Sequence, residues 1–593
     1  MHLHRIQITN YRAIRKATLT FDRSTILIGE NDSGKSSLLE ALALVLCGED
    51  PAGRLAPHHV HSPNGGRRAD EIRIRLTFSE REPREWDGTA YEPLLAMLPD
   101  HGSEQTRRRK VHLELRATVP SNGPARVRWR ISWRGADGWD GTDDPELVSL
   151  LRRSHPPVWV GAGLPAFEPA LRSTCVPGGA EPSPEAVSGS RSTAEDLVLE
   201  LMERGRRMLA APTVEMKAEM DSAFQTAQKL LEQVPRSTAG AAAGGSLTAV
   251  ISEAIDGGRA WAREPSPQTL VEASASGTAA QKLAVLLLAA TLLRAEPEGL
   301  PKDAEPMLII EDPEAHLHPL TLAAFWKVIE RIDRQRLVTT QSAALIQRTP
   351  LTGLRRLTRY NGYVRAWRVS EGTLDDDELR RFTYHVLARR GEATFARCWL
   401  MVEGETEFWM LPELARIAGH DLGLEGVACI EFAQAGVTPI IKAAQALGIE
   451  WHVLADGDEA GRIYASTALE FRGSSRPEDR VTLLPHRDIE HCFFAGGYDA
   501  VYRTQAGGSD GDAPPHVIIR RAIQNRSKPA LGLHVLDAVA ARGRSGIPAA
   551  LAQAIETCVD LARRAPAKKR TPTKGEGDAV IRRGEQSRHA GDG

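Results

Sequence analysis

The spacing of hydrophobic and polar positions changes several times along the chain, and each change predicts a different element. Residues 2–28 alternate as strands do, whereas residues 36–46 are almost continuously apolar. This change predicts strands followed by a helix. Alternation returns at 71–78, 110–119 and 126–133. These three segments predict an antiparallel meander with one buried face, forming a β-lobe beside the first unit.

Helical and strand patterns alternate in two later parts of the chain. In the first part, apolar helices at 283–293 and 321–332 each precede a short strand, at 307–312 and 336–342. A second alternating block begins at Arg397. Alternation of this kind predicts parallel sheets covered by helices. The fold class is therefore α/β, with a helical part at the C-terminal end of the second block.

Stretches rich in proline, glycine and serine divide the chain into predicted domains. The boundaries are 1–170 and 247–375 for the two parts of a first domain, 171–246 for a helical insert, 393–564 for a second domain and 565–593 for a tail. Apolar residues recur at helical spacing within the insert. Internal packing and dimerisation both explain this spacing. The tail has few large apolar residues, which predicts disorder.

Composition narrows the class of protein without identifying it. The 593 residues carry a formal net charge of −2, so any contact with DNA depends on local basic patches or bound metal. The six cysteines are scattered without a CxxC pair, which argues against a zinc ribbon or a secreted disulfide framework. The sequence shows no long apolar run free of charge. We therefore expect a cytoplasmic protein without a membrane segment.

A phosphate-binding loop stands between the third predicted strand and the first helix. Residues 29–36 read GENDSGKS, which fits GxxxxGK[ST] in the required strand–loop–helix context. Lys35 is expected to reach the β- and γ-phosphates of ATP, and Ser36 to bind the Mg²⁺ ion that accompanies the nucleotide. The residues expected to bind the nucleotide from this loop are Gly29, Asn31, Gly34, Lys35, Ser36 and Ser37.

An acidic pair closes the strand at 307–312 and completes the predicted ATPase site. We expect Glu311 to hold the Mg²⁺ shell and Asp312 to orient the attacking water. The following run, PEAHLHP at 313–319, resembles the EPEAHLHP run of SMC-like, RecF-like and related ABC-type ATPases, in which this stretch faces a second subunit. Ser276 and Gly277 resemble the ABC signature that binds the γ-phosphate of the other protomer. The resemblance therefore implies a homodimer with ATP between its protomers.

One position departs from that pattern. Many relatives carry a switch histidine after the next strand, but this chain has Gln341 there. Glutamine can hydrogen-bond a γ-phosphate but cannot titrate, so we expect slow hydrolysis.

Two acidic motifs follow strands in the second α/β block. EGETE includes Glu403 and Glu407, and DGDEAG begins with Asp456 and Asp458. The carboxyl edge of an open sheet is where ligands bind, so we expect these side chains to converge. Crowded carboxylates require cations, and hard oxygen ligands favour Mg²⁺ or Mn²⁺. Helix capping and turn formation are the alternative explanation for EGETE.

The acidic strand end followed by DxD resembles the Toprim domain of primases, topoisomerases and nucleases of the OLD (overcoming lysogenization defect) family. Together with an ABC/SMC-like ATPase, it resembles the OLD class encoded beside UvrD-like helicases, which includes the nuclease of Gabija anti-phage systems. The resemblance implies two metal ions bound by Glu403, Glu407, Asp456 and Asp458, with Glu490 as a further ligand. Lys528 matches a catalytic lysine, or is a simple surface lysine.

The resulting prediction is an ATP-binding and ATP-hydrolysing, metal-dependent DNA endonuclease that acts in phage defence or DNA repair. Its expected cofactors are ATP, one Mg²⁺ ion bound with the ATP, and two further Mg²⁺ or Mn²⁺ ions bound by the carboxylates. Its expected partners are DNA, a second copy of the chain and a UvrD-like helicase. A non-nucleolytic, ATP-gated DNA clamp or recombination mediator is the alternative. The basic runs at 107–110 and 520–521 could contact phosphates, but solvated faces explain them equally well.

Overall fold

The computed structural model describes residues 1–46, 51–62, 69–95, 108–121, 123–133, 141–161, 303–315, 322–323, 326, 329–330, 334–507 and 513–568. These residues belong to two compact units, Met1–Ser370 and Glu371–Gly593. The predicted insert at 171–246 and the pair Ser276 and Gly277 lie outside the described residues. Among the described residues, no helix is long and apolar enough to cross a membrane.

The first unit contains twelve strands within its described residues. They are β1 (His2–Tyr11), β2 (Ile14–Thr20), β3 (Ser24–Ile28), β4 (Ile72–Ser79), β5 (Lys110–Thr118), β6 (Arg126–Ser132), β7 (Gly141–Thr142), β8 (Pro157–Gly161), β9 (Met307–Glu311), β10 (Arg336–Thr339), β11 (Leu354–Tyr360) and β12 (Tyr363–Trp367). The strand predictions made from alternation are confirmed at β1 to β6, and those for the α/β block at β9 and β10.

All these strands form one sheet, in the order β7-β6-β5-β4-β1-β2-β12-β11-β3-β10-β9-β8. The predicted meander β4-β5-β6 is antiparallel and continues this sheet, because β4 pairs with β1. Strand β3 pairs in parallel with β10 and β11, and β10 with β9. The loops after β3, β9 and β10 therefore leave the same edge of the sheet.

Helix α1 (Lys35–Leu46) covers the sheet of the first unit. Its residues from Leu38 onward are buried with few exceptions, as the continuous apolar run predicted, and they join the core formed with β1, β4 and β5. The other helices described in this unit are α2 (Glu92–Leu95), α3 (Pro145–Ser154) and α4 (Ala343–Ile346).

The second unit is built on four parallel strands. They are β13 (Cys398–Val402), β14 (Val427–Glu431), β15 (Glu450–Ala455) and β16 (Val481–Leu483), in the sheet order β14-β13-β15-β16. The pairs β13-β14, β13-β15 and β15-β16 are all parallel. Every residue of β13 and β15 is buried, as expected of parallel strands with helices on both faces.

Eleven helices are described in the second unit. They are α5 (Asp376–Phe382), α6 (Ala388–Arg390), α7 (Glu405–Ala418), α8 (Leu422–Glu425), α9 (Val437–Leu447), α10 (Glu459–Glu470), α11 (Ile489–Phe493), α12 (Asp499–Gln505), α13 (Pro515–Arg526), α14 (Lys528–Arg542) and α15 (Ala549–Lys568). Helices α7 and α9 end at glycines with positive φ, Gly419 and Gly448. Helix α15 runs to Lys568, four residues into the segment predicted to be a tail. The parallel strands predicted for both blocks are confirmed. The helix predicted at 283–293 and most of the helix predicted at 321–332 lie outside the described residues.

Candidate nucleotide and metal sites

The phosphate-binding loop joins β3 to α1, where the motif predicted it. Two of its glycines adopt positive φ, +152° at Gly29 and +101° at Gly34. A Cβ atom on Gly29 would lie 2.6 Å from the carbonyl oxygen of Leu357, so a side chain cannot fit there. The Ser33 hydroxyl is buried and has no hydrogen-bond partner among the described residues. The loop therefore has both the close packing and the spare donor expected at a phosphate site.

Lys35, the first residue of α1, folds back onto its own loop. Its Nζ donates to the carbonyl oxygens of Gly29, at 2.7 Å, and Glu30, at 3.1 Å. Burial lowers the pKa of Lys35, while the nearby Asp312, Glu30 and Glu314 act against this shift. The ammonium group therefore lies against the loop. A bound phosphate could replace these carbonyl oxygens as its partner.

Glu311 and Asp312 stand at the end of β9, facing the loop. The Ser36 hydroxyl hydrogen-bonds Glu311, whose pKa is raised by burial and by Asp312 despite that bond. Asp312 has φ of +42°, and its backbone N–H donates to the carbonyl oxygen of Thr339 at 3.1 Å. The Thr339 hydroxyl donates to Asp312 Oδ1 at 3.2 Å. The structure therefore brings Ser36, Glu311 and Asp312 together with Lys35.

Glu314 links this acidic pair to the end of β10, a role that the sequence did not predict. It accepts a hydrogen bond from the Thr340 hydroxyl at 2.8 Å, and another from the backbone N–H of Gln341. The Gln341 side chain itself is exposed. Its amide is therefore available to a ligand, whereas its backbone is fixed by Glu314.

Glu40 is a second residue that sequence reasoning missed. It is the one acidic residue in the apolar helix α1, and it forms an ion pair with Arg12. Burial raises its pKa, which Arg12 counteracts, and Glu311 adds to the rise. The sequence could have indicated Glu40, because an acidic residue in an otherwise apolar helix needs a reason to be there.

The other residues predicted for this site are less informative. Asn31 is exposed in the loop and Ser37 is half-buried in the first turn of α1. The predicted signature residues Ser276 and Gly277 fall outside the described part of the chain, so their roles stay predictions.

In the second unit, the predicted carboxylates follow strand ends at one edge of the sheet. Glu403 directly follows β13, and Glu407 is buried in the first turn of α7. Asp456 directly follows β15. Asp458 caps α10, where its Oδ1 accepts a hydrogen bond from Gly461 N at 2.8 Å. Glu405, the middle acid of EGETE, is exposed.

Two glycines of DGDEAG determine how closely this turn packs. A Cβ atom on Gly457 would lie 2.2 Å from the carbonyl oxygen of His486, in the segment after β16. A Cβ atom on Gly461 would lie 1.9 Å from the carbonyl oxygen of Asp456. Neither position accepts a side chain without movement of the backbone. The glycines therefore hold Asp456 and Asp458 at the strand end.

Electrostatic repulsion is concentrated at Asp456. Burial, and then Glu407, Glu403, Asp488 and Glu490 in that order, raise the pKa of Asp456 to about 8. The pKa of Glu403 is raised by burial and by Asp458. That of Glu407 is raised mainly by burial, with Glu490 adding to the rise. The structure therefore brings these acids near enough to repel one another.

Lys528 enters this cluster from the start of α14. Its Nζ lies 2.9 Å from Glu490 Oε1, and Glu490 is buried in α11. Burial disfavours the charged lysine, but Glu490, Glu407 and Asp488 outweigh this effect and raise its pKa. Ser527, with φ of +73°, separates α13 from α14 and so positions Lys528. The lysine is half-exposed and contacts the cluster through Glu490, while its catalytic role stays a prediction.

Asp488 is the member of the cluster that the sequence left without a role. It caps α11 by accepting from His491 N at 2.9 Å, and its Oδ1 lies 2.6 Å from His491 Nδ1. It is also one of the charges that raise the pKa of Asp456. The sequence could have indicated Asp488 as a site residue, because the motif PHRDIE follows a strand end as the other acidic motifs do.

The donor set suits a hard divalent cation. The side chains predicted to bind the metal all offer carboxylate oxygens, and Glu403 Oε2 is buried without a hydrogen-bond partner among the described residues. Among these residues, however, no group of three or more histidine, cysteine or acidic side chains is already arranged around one point. A cation at this site would therefore complete its coordination with water, or with side chains that rotate towards it.

Comparison with known proteins places the chain in a family. Residues 1–128 and 182–393 match the protein-family model DUF2813, which is described as a protein of unknown function. The uncharacterized protein YbjD of Escherichia coli K12 is 32% identical over 582 residues, which are 95% of this chain and 99% of YbjD. The chain belongs to the DUF2813 family. Its residues 394–458 match the TOPRIM domain of overcoming lysogenization defect-like proteins, which confirms the resemblance to the OLD family.

Solved structures show weaker similarity to this DUF2813 protein. The SMC head bound to the C-terminal winged-helix domain of ScpA is 13% identical, with a TM-score of 0.35, and the match covers 63% of this chain and 99% of that one. The SMC head of Thermotoga maritima is 12% identical, with a TM-score of 0.33 and coverage of 62% and 100%. The C-terminal region of the Burkholderia pseudomallei OLD protein is 18% identical, with a TM-score of 0.24 and coverage of 28% and 99%.

Proposed function

We propose that this protein is an ATP-controlled, metal-dependent DNA endonuclease whose cutting site is the carboxylate cluster of the second unit. The observation that carries the proposal is the placement of Glu403, Glu407, Asp456 and Asp458 just after the neighbouring parallel strands β13 and β15. Burial, and then the surrounding acids, raise the pKa of Asp456 there to about 8. Such repulsion is costly unless a cation relieves it. The OLD-like TOPRIM match over residues 394–458 supports a nuclease as the class of enzyme.

The side chains suggest a division of roles at this site. Glu403, Glu407, Asp456 and Asp458 would hold two divalent ions, with Glu490 as a further ligand. Bound ions of this kind supply an activated water and stabilise the leaving oxygen in phosphodiester hydrolysis. Lys528, now paired with Glu490, would place its positive charge near the scissile phosphate.

The first unit would provide nucleotide control. Lys35 and the Ser33 hydroxyl would bind phosphate, Ser36 and Glu311 would hold Mg²⁺, and Asp312 would orient water. Gln341 stands where many related ATPases carry a titratable histidine, so we expect slow ATP hydrolysis. The first unit would then act as a nucleotide-dependent switch and not as a motor. Two protomers, joined through the signature residues Ser276 and Gly277, would enclose ATP. Action in phage defence or DNA repair, with a UvrD-like helicase as partner, completes the proposal.

A plasmid-cleavage assay tests the nuclease directly. Full-length protein is incubated with supercoiled plasmid and Mg²⁺ or Mn²⁺, with and without ATP. We expect nicked and linear products from the wild type, and a loss of about 100-fold or more in Asp456→Asn. Asp560→Asn is the matched control, because it removes one carboxylate from a pair with Arg564 on the exposed face of α15. We expect it to cut as the wild type does.

The same assay separates the alternative function. An intact plasmid under every metal and nucleotide condition would refute the nuclease. If the protein then retained circular DNA in an ATP-dependent manner, the non-nucleolytic clamp would replace it. Equal cutting by Asp456→Asn and wild type would place the chemistry elsewhere in the chain.

A further inference from the structure

One face of α13 forms a row of exposed hydrogen-bond donors. The opposite face buries Ile518, Ile519 and Ala522 in the core of the second unit. His516, Arg520 and Gln524 are all exposed. They follow one another at intervals of four residues, so they share one side of the helix at steps of about 6 Å.

This row leads towards the carboxylate cluster. Helix α13 ends at Arg526, and Ser527 turns the chain with φ of +73°. The next residue is Lys528, whose Nζ lies 2.9 Å from Glu490 Oε1. Two residues therefore separate the row's last donor, Gln524, from the turn that delivers Lys528 to the cluster.

The charge around α13 is one-sided. No aspartate or glutamate occurs from Ala513 to Leu536, whereas this segment contains three arginines and Lys528. Some exposed arginines of the unit pair with acids, such as Arg416 with Glu413. Among the described residues, Arg520 forms no such ion pair. The face is thus positive beside a cluster that repels phosphate by itself.

We infer that the face formed by His516, Arg520 and Gln524 binds the sugar–phosphate backbone of a DNA strand and guides it into the carboxylate cluster. Arginine and glutamine are common donors to DNA phosphates, and their regular spacing suits a repeating anion. The inference rests on the proposed nuclease function, for which it names the surface that positions the substrate. Such contacts would carry little information about base sequence.

DNA binding tests this surface separately from cutting. Full-length protein with Asp456→Asn binds a fluorescein-labelled 30-base-pair duplex, followed by anisotropy at several salt concentrations. Adding Arg520→Glu should weaken binding about tenfold and lower the slope of log affinity against log salt by about 1. Adding Arg520→Lys, which keeps the charge, should restore most of the affinity.

Arg472→Glu is the matched control, since Arg472 is exposed just beyond the C-terminal end of α10, at the far end of that helix from Asp458. It should bind DNA as the parent does. Gln524→Glu is a second variant on the proposed face and should also weaken binding, whether or not Arg520→Glu remains folded. Equal affinities for Gln524→Glu, Arg520→Glu and Arg472→Glu would overturn the inference. They would leave the nuclease intact if plasmid cleavage by the wild type stands.

Discussion

The two candidate sites balance their charges in different ways. At the nucleotide site, Lys35 rests on loop carbonyls, and the acids Asp312 and Glu314 are held by threonine hydroxyls. At the carboxylate site, Asp458 caps a helix and Glu490 pairs with Lys528. The pKa of each of Glu403, Glu407 and Asp456 is nevertheless raised, mainly by burial and then by neighbouring acids, and backbone hydrogen bonds and Lys528 offset this rise only in part at Glu407.

This difference indicates what each site requires from a ligand. At the nucleotide site the pKa of Glu311 is also raised, by burial and Asp312, but the Ser36 hydroxyl hydrogen-bonds this acid. ATP would exchange one set of hydrogen bonds for another there. At the carboxylate site the acidic side chains repel one another, and a bound cation would remove this repulsion. Binding should therefore stabilise the second unit more than a simple exchange of contacts would.

The largest expected effect is on ATP affinity and comes from removing Lys35, whose ammonium group now binds the loop carbonyls. Lys35→Ala should weaken ATP binding by about 100-fold or more, because a charged donor to phosphate is lost. Calorimetric titration with ATP and Mg²⁺ measures this change. Lys16→Ala removes an exposed lysine from β2 and should leave ATP affinity unchanged. Equal ATP affinity in Lys35→Ala would contradict the assignment of the loop.

The next effect concerns the backbone that holds the acids. Gly461→Ala should reduce the free energy of unfolding of the second unit by about 3 kcal/mol, because the new Cβ would collide with the backbone oxygen of Asp456. Gly496→Ala is the control, since its Cβ would meet Pro548 Cγ at an ordinary 3.7 Å. Urea unfolding followed by tryptophan fluorescence compares the two. A loss no larger than that of Gly496→Ala would show that the turn is not tightly packed.

The smallest effect follows from repulsion in the metal-free protein. Folded Asp456, with a pKa of about 8, keeps a proton that the unfolded chain releases near pH 4. The free energy of unfolding therefore falls as the pH rises from about 4 to 8. In EDTA at pH 8, Asp456→Asn should be about 2 kcal/mol more stable than wild type, after allowance for solvent screening.

The two proteins should be similarly stable at pH 4, and Mg²⁺ at pH 8 should narrow or reverse the difference by stabilising the wild type. Thermal unfolding at both pH values provides the measurement. Equal stability at pH 8 in EDTA would mean that burial and the neighbouring acids do not raise the pKa of Asp456.

Local patterns in the sequence predicted most of the fold and both sites. The motif at 29–36 specified strand, loop and helix together, and the apolar runs before Glu403 and Asp456 specified buried parallel strands. These features depend on neighbours in sequence. Side-chain period and turn chemistry therefore suffice to find them.

The features that were missed depend on distant parts of the chain. Asp488 joins the cluster only because β16 lies beside β15. Glu314 acts through Thr340, beyond the next strand. The approach of Lys528 to Glu490 depends on the turn at Ser527, which has no local signature. Side-chain pairing across elements is set by tertiary packing, which periodicity does not encode.

Titration of Mn²⁺ into the nucleotide-free, full-length protein tests the central claim most directly. The account predicts that wild type and Lys35→Ala bind Mn²⁺ alike, because the cation site lies in the carboxylate cluster. Asp456→Asn should lose affinity by at least about tenfold. Binding by Asp456→Asn as tight as that of the wild type would contradict the account.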